Sequence, residues 1–524
     1  MNKKFLDQRS QNRRFYITAA IPYVNAKPHI GHALELVQAD TVARYHKLLG
    51  EDTLLLSGGD ENALKNVQAA EKAGVPIQEF VDENNQKFVE LTHKLDCSYD
   101  IWQKGSDQKT HFPSSQKLWN LCQKDIYKKK YKGLYCVGCE TFYEKEELNR
   151  DGECFEHPGK KLDAVEEENY FFALSKYQDK LIKLIESDEL EIVPQERKNE
   201  VLSFVKSGLK DISISRSNER AKNWGVLVPG DNTQRIYVWF DALNIYQSGI
   251  GFGRDEEKYN KWWPADVHVI GKGIIRFHAV YWPAFLLSAG LKLPKKIFVH
   301  GYYTVNGQKM SKTLGNVYDP VPLLEKYGAD PLRYYFLAKT PPFTDGDFSE
   351  EKFVEAYNSD LANGLGNTVS RIVGLISKYC DGKIPEIDAS ADDHPLRVDD
   401  KIHNWKKVWK DIDAFTPNFQ FDQALKSVWR FLKDADKYIE ENKPWILEKE
   451  DKKKLNWVLY GLADSLHQVA WQICPYLPET SRKIAKILGI DKLSADNPNY
   501  KDSWTNLPSG QKIGIDEPLF PRIK

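Results

Sequence analysis

Residues 15–21 (FYITAAI) form a short β-branched and aromatic run, and this predicts a strand. Pro22-Tyr23-Val24-Asn25 follows as a turn. Across residues 30–49, Ala33, Leu36, Val37, Ala39, Val42 and Ala43 supply an apolar stripe at helical spacing. Residues 53–57 (TLLLS) predict a second, buried strand closed by Gly58-Gly59. Strand, helix and strand within about 45 residues make a βαβ unit, the start of a parallel sheet. From 113 to 221 the texture turns rich in lysine and tyrosine and carries cysteines. Strand-like runs return at 236–240 (IYVWF), 267–270 (VHVI) and 297–300 (IFVH). From about Phe353 the pattern is helical nearly to the end, as at 361–378, 421–441 and 455–473. The expected architecture is an α/β parallel sheet interrupted by a long insertion and followed by a helical bundle.

Length and composition sharpen this picture without redirecting it. The 524 residues point to about three to four domains, more than one core can serve. With 74 basic and 75 acidic residues the net charge is -1. A nucleic-acid partner would therefore have to meet local basic surface. The first fourteen residues are basic and polar with no signal-peptide core, and no apolar run approaches about 18 residues, so neither secretion nor a membrane span is expected. The expected location is the cytoplasm.

Three stretches carry candidate chemistry. Pro28-His29-Ile30-Gly31-His32 sits between the first strand and its helix. A helix N-terminus offers unpaired N–H groups and partial positive charge, which suit phosphate. Gly31 would let an adenine ring approach the backbone. Far downstream, Lys309-Met310-Ser311-Lys312 lies on a glycine-flanked loop. Its two lysines can neutralise charge developing at an α-phosphate and on leaving pyrophosphate. No Gly-x4-Gly-Lys-Ser/Thr loop competes for that role. Finally, Cys136-x2-Cys139 is followed after 14 residues by Cys154-x2-His157, the spacing of a closed structural zinc site. Cys97, Cys122, Cys380 and Cys474 are isolated and read as core.

The His-Ile-Gly-His and Lys-Met-Ser-Lys strings resemble the signatures of class I aminoacyl-tRNA synthetases. AIPYVN (20–25), YVWFDAL (237–243), FHAVYWPA (277–284), EENYFF (167–172), NSDLANGLGN (358–367) and PLFPR (518–522) narrow the resemblance to the methionyl-tRNA synthetase family. It covers nearly the whole chain from Phe15 onward. It implies a Rossmann-type catalytic domain with a zinc-knuckle insertion and a C-terminal all-α anticodon-binding bundle. The implied boundaries are 1–112 and 226–300 for the two catalytic halves, 113–225 for the insertion, 301–352 for the lysine loop and stem-contact region, and 353–524 for the bundle. An insertion of about 110 residues is shorter than the editing domains of larger relatives, so no separate editing domain is expected.

The resemblance further implies ATP with Mg²⁺, L-methionine, and tRNA(Met) with its CAU anticodon as partners, and one structural Zn²⁺. His29, His32, Lys309 and Lys312 would be catalytic, with Gly31, Gly271 and Ser311 also at ATP. Methionine would sit among Ile21, Tyr23, Trp239, Ala242, Tyr246, Ile274 and His278, with Asp60 on its ammonium. On pattern alone, Tyr237 and Trp239 in a β-run read as core. Asn367 and Arg371, four apart on one helix face, and Trp445 match positions that contact the anticodon. Three positions depart from the family pattern. Gly59 stands where threonine is usual, Gly273 stands where an aspartate usually holds the ribose, and Asn244-Ile245-Tyr246 replaces Ile-Asn-Tyr. A non-catalytic tRNA-binding relative is the alternative reading, and a monomer is expected.

Overall fold

The computed structural model describes residues 13–136, 141–143, 148–154, 159, 162–310, 315–387, 405–490, 507–514 and 518–523. The chain opens with β1 (Arg14–Ala19), α1 (Ile30–Leu48) and β2 (Asp52–Gly59). Next come α2 (Ile77–Lys94), β3 (Ile101–Lys104) and α3 (His111–Cys122). The stretch that follows contributes β4 (Ile126–Cys136), β5 (Asp163–Phe172), β6 (Glu191–Val193) and β7 (Asp231–Ile236). Two short helices, α4 (Val238–Ala242) and α5 (Ile245–Ser248), lead to β8 (Val267–Gly271) and β9 (Lys296–His300).

One parallel sheet runs in the order β3-β2-β1-β8-β9-β6. Its strands are apolar on both faces because both faces are covered. Phe15, Ile17 and Ala19 of β1 enter one core, and Tyr16 and Ala20 enter the other. Leu55 parts from Leu54 and Leu56, and Phe298 from Ile297 and Val299, in the same period-two manner. The direction of winding reverses between β1 and β8, and ligands bind at the carboxyl ends beside such a switch point. In a separate sheet, β4 and β5 form a long antiparallel ribbon, with Ile126 opposite Phe172 and Tyr135 opposite Asp163.

One expected strand is not there. Residues 236–240 are β-rich in composition, yet β7 stops at Ile236 and Tyr237 caps α4, which carries Trp239. Burial of all five α4 residues outweighs their strand preference. Asp241 of α4 accepts from Ser115 Oγ at 2.6 Å and lies 2.9 Å from the buried ring of His111, both on α3. That polar network fixes the short helix.

After β9 come β10 (Tyr303–Val305), β11 (Gln308–Lys309) and β12 (Gly346–Phe348), then helices. These include α6 (Asn367–Tyr379), α7 (Trp405–Phe415), α8 (Phe421–Asn442), α9 (Lys452–Ile473) and α10 (Pro478–Ile487). The core on the α1 face of the sheet continues without a break into these helices. A buried guanidinium reinforces the junction. Arg333 pairs with Asp40 of α1 at 2.8 Å and donates to the carbonyls of Tyr476 and Pro475 at 2.8 and 3.1 Å. No described helix is long and apolar enough to cross a membrane.

Candidate active site

His29 is the N-cap of α1, and its ring and that of His32 complete a reciprocal capping box. His29 Nδ1 accepts the Gly31 N–H at 3.2 Å, and His32 Nδ1 accepts the His29 N–H at 3.1 Å. The rings stack with centroids 3.7 Å apart. Since each Nδ1 is an acceptor, the proton of each ring sits on Nε2, a hydrogen-bond donor. The sequence of this helix start therefore orients its own imidazoles before any ligand arrives.

The second signature is tied to the first. Asn306 and Gly307 both adopt positive φ, and this is the turn an Asn-Gly hairpin requires between β10 and β11. Asp347 of β12 accepts the Gly307 N–H at 2.7 Å, anchoring the hairpin that presents Lys309. Downstream of the loop, Tyr318 O accepts the Ile30 N–H at 3.0 Å. Met310 Cε lies 3.3 Å from where a Cβ on Gly31 would stand. Residues 311–314, with Ser311 and Lys312, fall outside the described residues.

A cavity of about 790 Å³ opens at the carboxyl ends of β1, β8 and β9. His29, Gly31, His32, Gly271 and Lys309 line it, as do Ile21, Tyr23, Trp239 and Ile274. A helix start, a lysine-bearing hairpin and an aromatic recess thus share one space, as a nucleotide and a small apolar ligand would need.

Several known proteins are similar to this chain. The family described as tRNA synthetases class I (M) matches residues 15–373. The methionine–tRNA ligase of Thermotoga maritima is 41% identical, covering 97% of this chain and 80% of its own length. That of Brucella suis is 40% identical, covering 97% and 98%. The solved Mycobacterium tuberculosis methionyl-tRNA synthetase in complex with methionyl-adenylate superposes with a TM-score of 0.91 at 37% identity, covering 97% of this chain and 100% of that one.

The chain belongs to the class I methionyl-tRNA synthetases.

In this methionyl-tRNA synthetase family member, the remaining predicted pocket residues are not among those that line the cavity. His278 is buried, and burial pushes its imidazole down to about 4. Its Nδ1 donates to the Ile274 carbonyl at 3.0 Å, so Nε2 accepts the Tyr246 hydroxyl at 2.8 Å. Tyr246 O in turn accepts the Tyr16 hydroxyl at 2.6 Å. Ala242 is buried on α4. Asp60 is buried, and its N–H donates to Pro22 O at 2.9 Å, which places it beside Tyr23. Trp239 stacks on Phe277 at 3.7 Å and meets Tyr23 edge-on at 6.0 Å.

Sequence reasoning missed two polar members of the cavity wall. Glu35 Oε1 accepts the Ala20 N–H at 2.9 Å, and Oε2 lies 2.9 Å from His300 Nε2. The partners are 265 residues apart, and neither stands in a short motif. The two glycine departures differ in their surroundings. A Cβ on Gly59 would come within 2.6 Å of Asn85 Oδ1, which holds the Trp102 indole N–H at 2.7 Å. A Cβ on Gly273 would meet only Tyr302, its hydroxyl at 2.7 Å, the far end of a side chain, so packing does not account for this glycine.

Elsewhere, Leu365, Val369, Ile372 and Ile376 are buried, leaving Asn367 exposed and Arg371 half-buried on α6. Arg371 pairs with Glu440, and with Asp436 at 3.6 Å, both on α8. Trp445 is 41% exposed. Cys136 and Cys154 are buried, with the Cys154 thiol 3.5 Å from the Tyr143 hydroxyl. Cys139 and His157 fall outside the described residues, and no group of three metal-binding side chains occurs among those described.

Proposed function

We propose that the chain joins L-methionine to tRNA in two steps. The methionine carboxylate oxygen attacks the α-phosphorus of ATP and the α–β anhydride bond breaks, giving methionyl-adenylate and pyrophosphate. A hydroxyl of the tRNA's 3′-terminal adenosine then attacks the acyl carbon, and AMP leaves. The shared cavity of the histidine helix start and the Lys309 hairpin carries this reading, together with family membership over nearly the full chain.

In this mechanism His29 and His32 donate Nε2–H to phosphate oxygens, supported by the N-terminal charge of α1. Lys309 and Lys312 stabilise charge in the transition state, with Gly31, Gly271 and Ser311 against the nucleotide. Mg²⁺ arriving with ATP supplies further neutralising charge to the triphosphate. Ile21, Tyr23 and Trp239 enclose the thioether, which aromatic walls suit. Ala242, Tyr246, Ile274 and His278 shape that recess, and Asp60 pairs with the ammonium. Asn367, Arg371 and Trp445 meet the CAU anticodon of tRNA(Met), with the enzyme a cytoplasmic monomer. A structural zinc held by Cys136, Cys139, Cys154 and His157 fits the two buried thiols. It would close the insertion without an open coordination position.

Amino-acid-dependent ATP–pyrophosphate exchange with all twenty amino acids tests the core of this. Methionine alone should drive exchange, and Lys312→Ala should lower its rate by about 10²–10³. Exchange with another amino acid would overturn the pocket. No exchange at all would favour a tRNA-binding relative without catalysis.

A further inference from the structure

The hairpin that carries Lys309 faces an aromatic ring, that of Tyr302. Lys309 of β11 pairs with Thr304 of β10, and Tyr302 stands two residues ahead of Thr304. Alternation puts Tyr302 and Thr304 on one face, which makes Tyr302 the diagonal neighbour of Lys309. The Lys309 ammonium stands 4.8 Å over the Tyr302 ring, and both residues line the cavity with His29 and Gly31.

The ring is itself held on several sides. Tyr302 N–H donates to Asp345 Oδ1 at 2.9 Å, and Tyr302 O accepts the Gly346 N–H at 2.9 Å. A Cβ on the preceding Gly301 would run into the Thr344 carbonyl, so glycine is what lets these two backbones lie so close. Lys272 covers the same ring at 4.4 Å, and Asp345 answers its charge at 2.8 Å. The Tyr302 hydroxyl reaches to 2.7 Å from where a Cβ on Gly273 would stand, so the side chain lies along the 271–273 turn. Two residues after Asp345, Asp347 accepts the Gly307 N–H and anchors the hairpin. The segment that fixes the ring thus fixes the lysine's strand as well.

A lysine's long stem loses rotamer entropy when its ammonium is held in one place. A cation over a ring is worth about twofold to thirtyfold in an equilibrium. That is enough to bias the stem toward the cavity, and a charged phosphate oxygen still competes well for the ammonium.

We propose that Tyr302 is a positioning residue for Lys309: its ring seats the ammonium over the cavity before the triphosphate arrives, and Lys272 with Asp345 holds the ring in place. This rests on the reading of the chain as an ATP-using ligase. The ring acts through the lysine rather than on the reacting atoms.

The test uses the full chain with Tyr302→Leu, Tyr302→Phe, Lys309→Met and the Tyr302→Leu, Lys309→Met double variant. In methionine-dependent pyrophosphate exchange, Tyr302→Leu should lower kcat about fivefold with the KM for methionine unmoved. Tyr302→Phe, which keeps the ring, should recover most of that rate. In the Lys309→Met background the same leucine substitution should cost less than about twofold, since its target is already gone. With lysine labelled at the ε-carbon, the Lys309 methylene resonance is assigned by its absence from Lys309→Met. Ring current from Tyr302 should move it upfield before any nucleotide is added, in wild type and Tyr302→Phe but not in Tyr302→Leu. An unshifted Lys309 resonance in wild type would overturn the proposal. A leucine penalty of equal size in both backgrounds, or a raised KM for methionine, would also overturn it by making the ring part of the framework. Equal losses in Tyr302→Phe and Tyr302→Leu would overturn it too, by assigning the effect to the hydroxyl. If wild type showed no exchange with any amino acid, the enzymatic reading would fall, while the lysine resonance would still judge the seat.

Discussion

The two candidate recognition regions, the start of α1 and the outer face of α6, are built in opposite ways. At the start of α1, His29 and His32 satisfy backbone N–H groups and each other, so their geometry is set by the free chain. On α6, Asn367 stands in solvent, and Arg371 is committed to carboxylates of α8. A concave site for a small ligand is organised by internal hydrogen bonds. The convex face of a helix has to exchange its partners when a macromolecule docks. Loss of a group should therefore cost rate at the first end and affinity at the second.

The sharpest break of that contrast comes at the helix start. His32→Ala removes a donor and the acceptor for the His29 N–H together, and exchange kcat should fall by about 10²–10³. If only the KM for ATP rises, the preorganisation argument fails. Gly59→Thr probes the same rigidity through packing. With its Cβ about to meet Asn85 Oδ1, the variant should lose about 1–3 kcal/mol in chemical denaturation. Adding Asn85→Ala should restore part of it. At the other end, Arg371→Ala should raise the KM for tRNA about tenfold with exchange unchanged, and altered exchange would join the two regions that are set apart here.

The mildest test is pH. Burial holds the folded His278 at about 4, below the ordinary value of 6.5. The unfolded chain thus binds its proton first. The resulting stability is complete above about 6.5 and drains as pH falls toward 4, by at most about 1.4 kcal/mol per unit. His278→Gln should flatten that limb in Tm-against-pH measurements, and an unchanged slope would assign it to other groups.

How much of this could be read in advance depended on the range of each interaction. The helix start was legible because a cap is local chemistry, written within five residues. The sheet was legible because its strands are apolar on both faces, although its edge strand β6 is only three residues long and carried no signal. Residues 237–240 were misread as strand because pattern cannot see α3, whose His111 and Ser115 clasp Asp241. Glu35 with His300 depends on folding distant segments together. The candidate methionine and anticodon residues came from family resemblance, and exposed Asn367 and Trp445 show no packing signature that would have singled them out.

The Arg333 junction bears on how the protein can be cut. A fragment trimmed ahead of Pro475, meant to keep only the nucleotide-binding half, would strip two carbonyl acceptors from a guanidinium that is fully enclosed. Asp40 would remain as its counter-ion, now facing water through an opened seam. The fragment would expose the apolar flank of α1 as well, since that helix shares its core with the segment removed. Anyone seeking a minimal activating unit should leave the C-terminal helices in place.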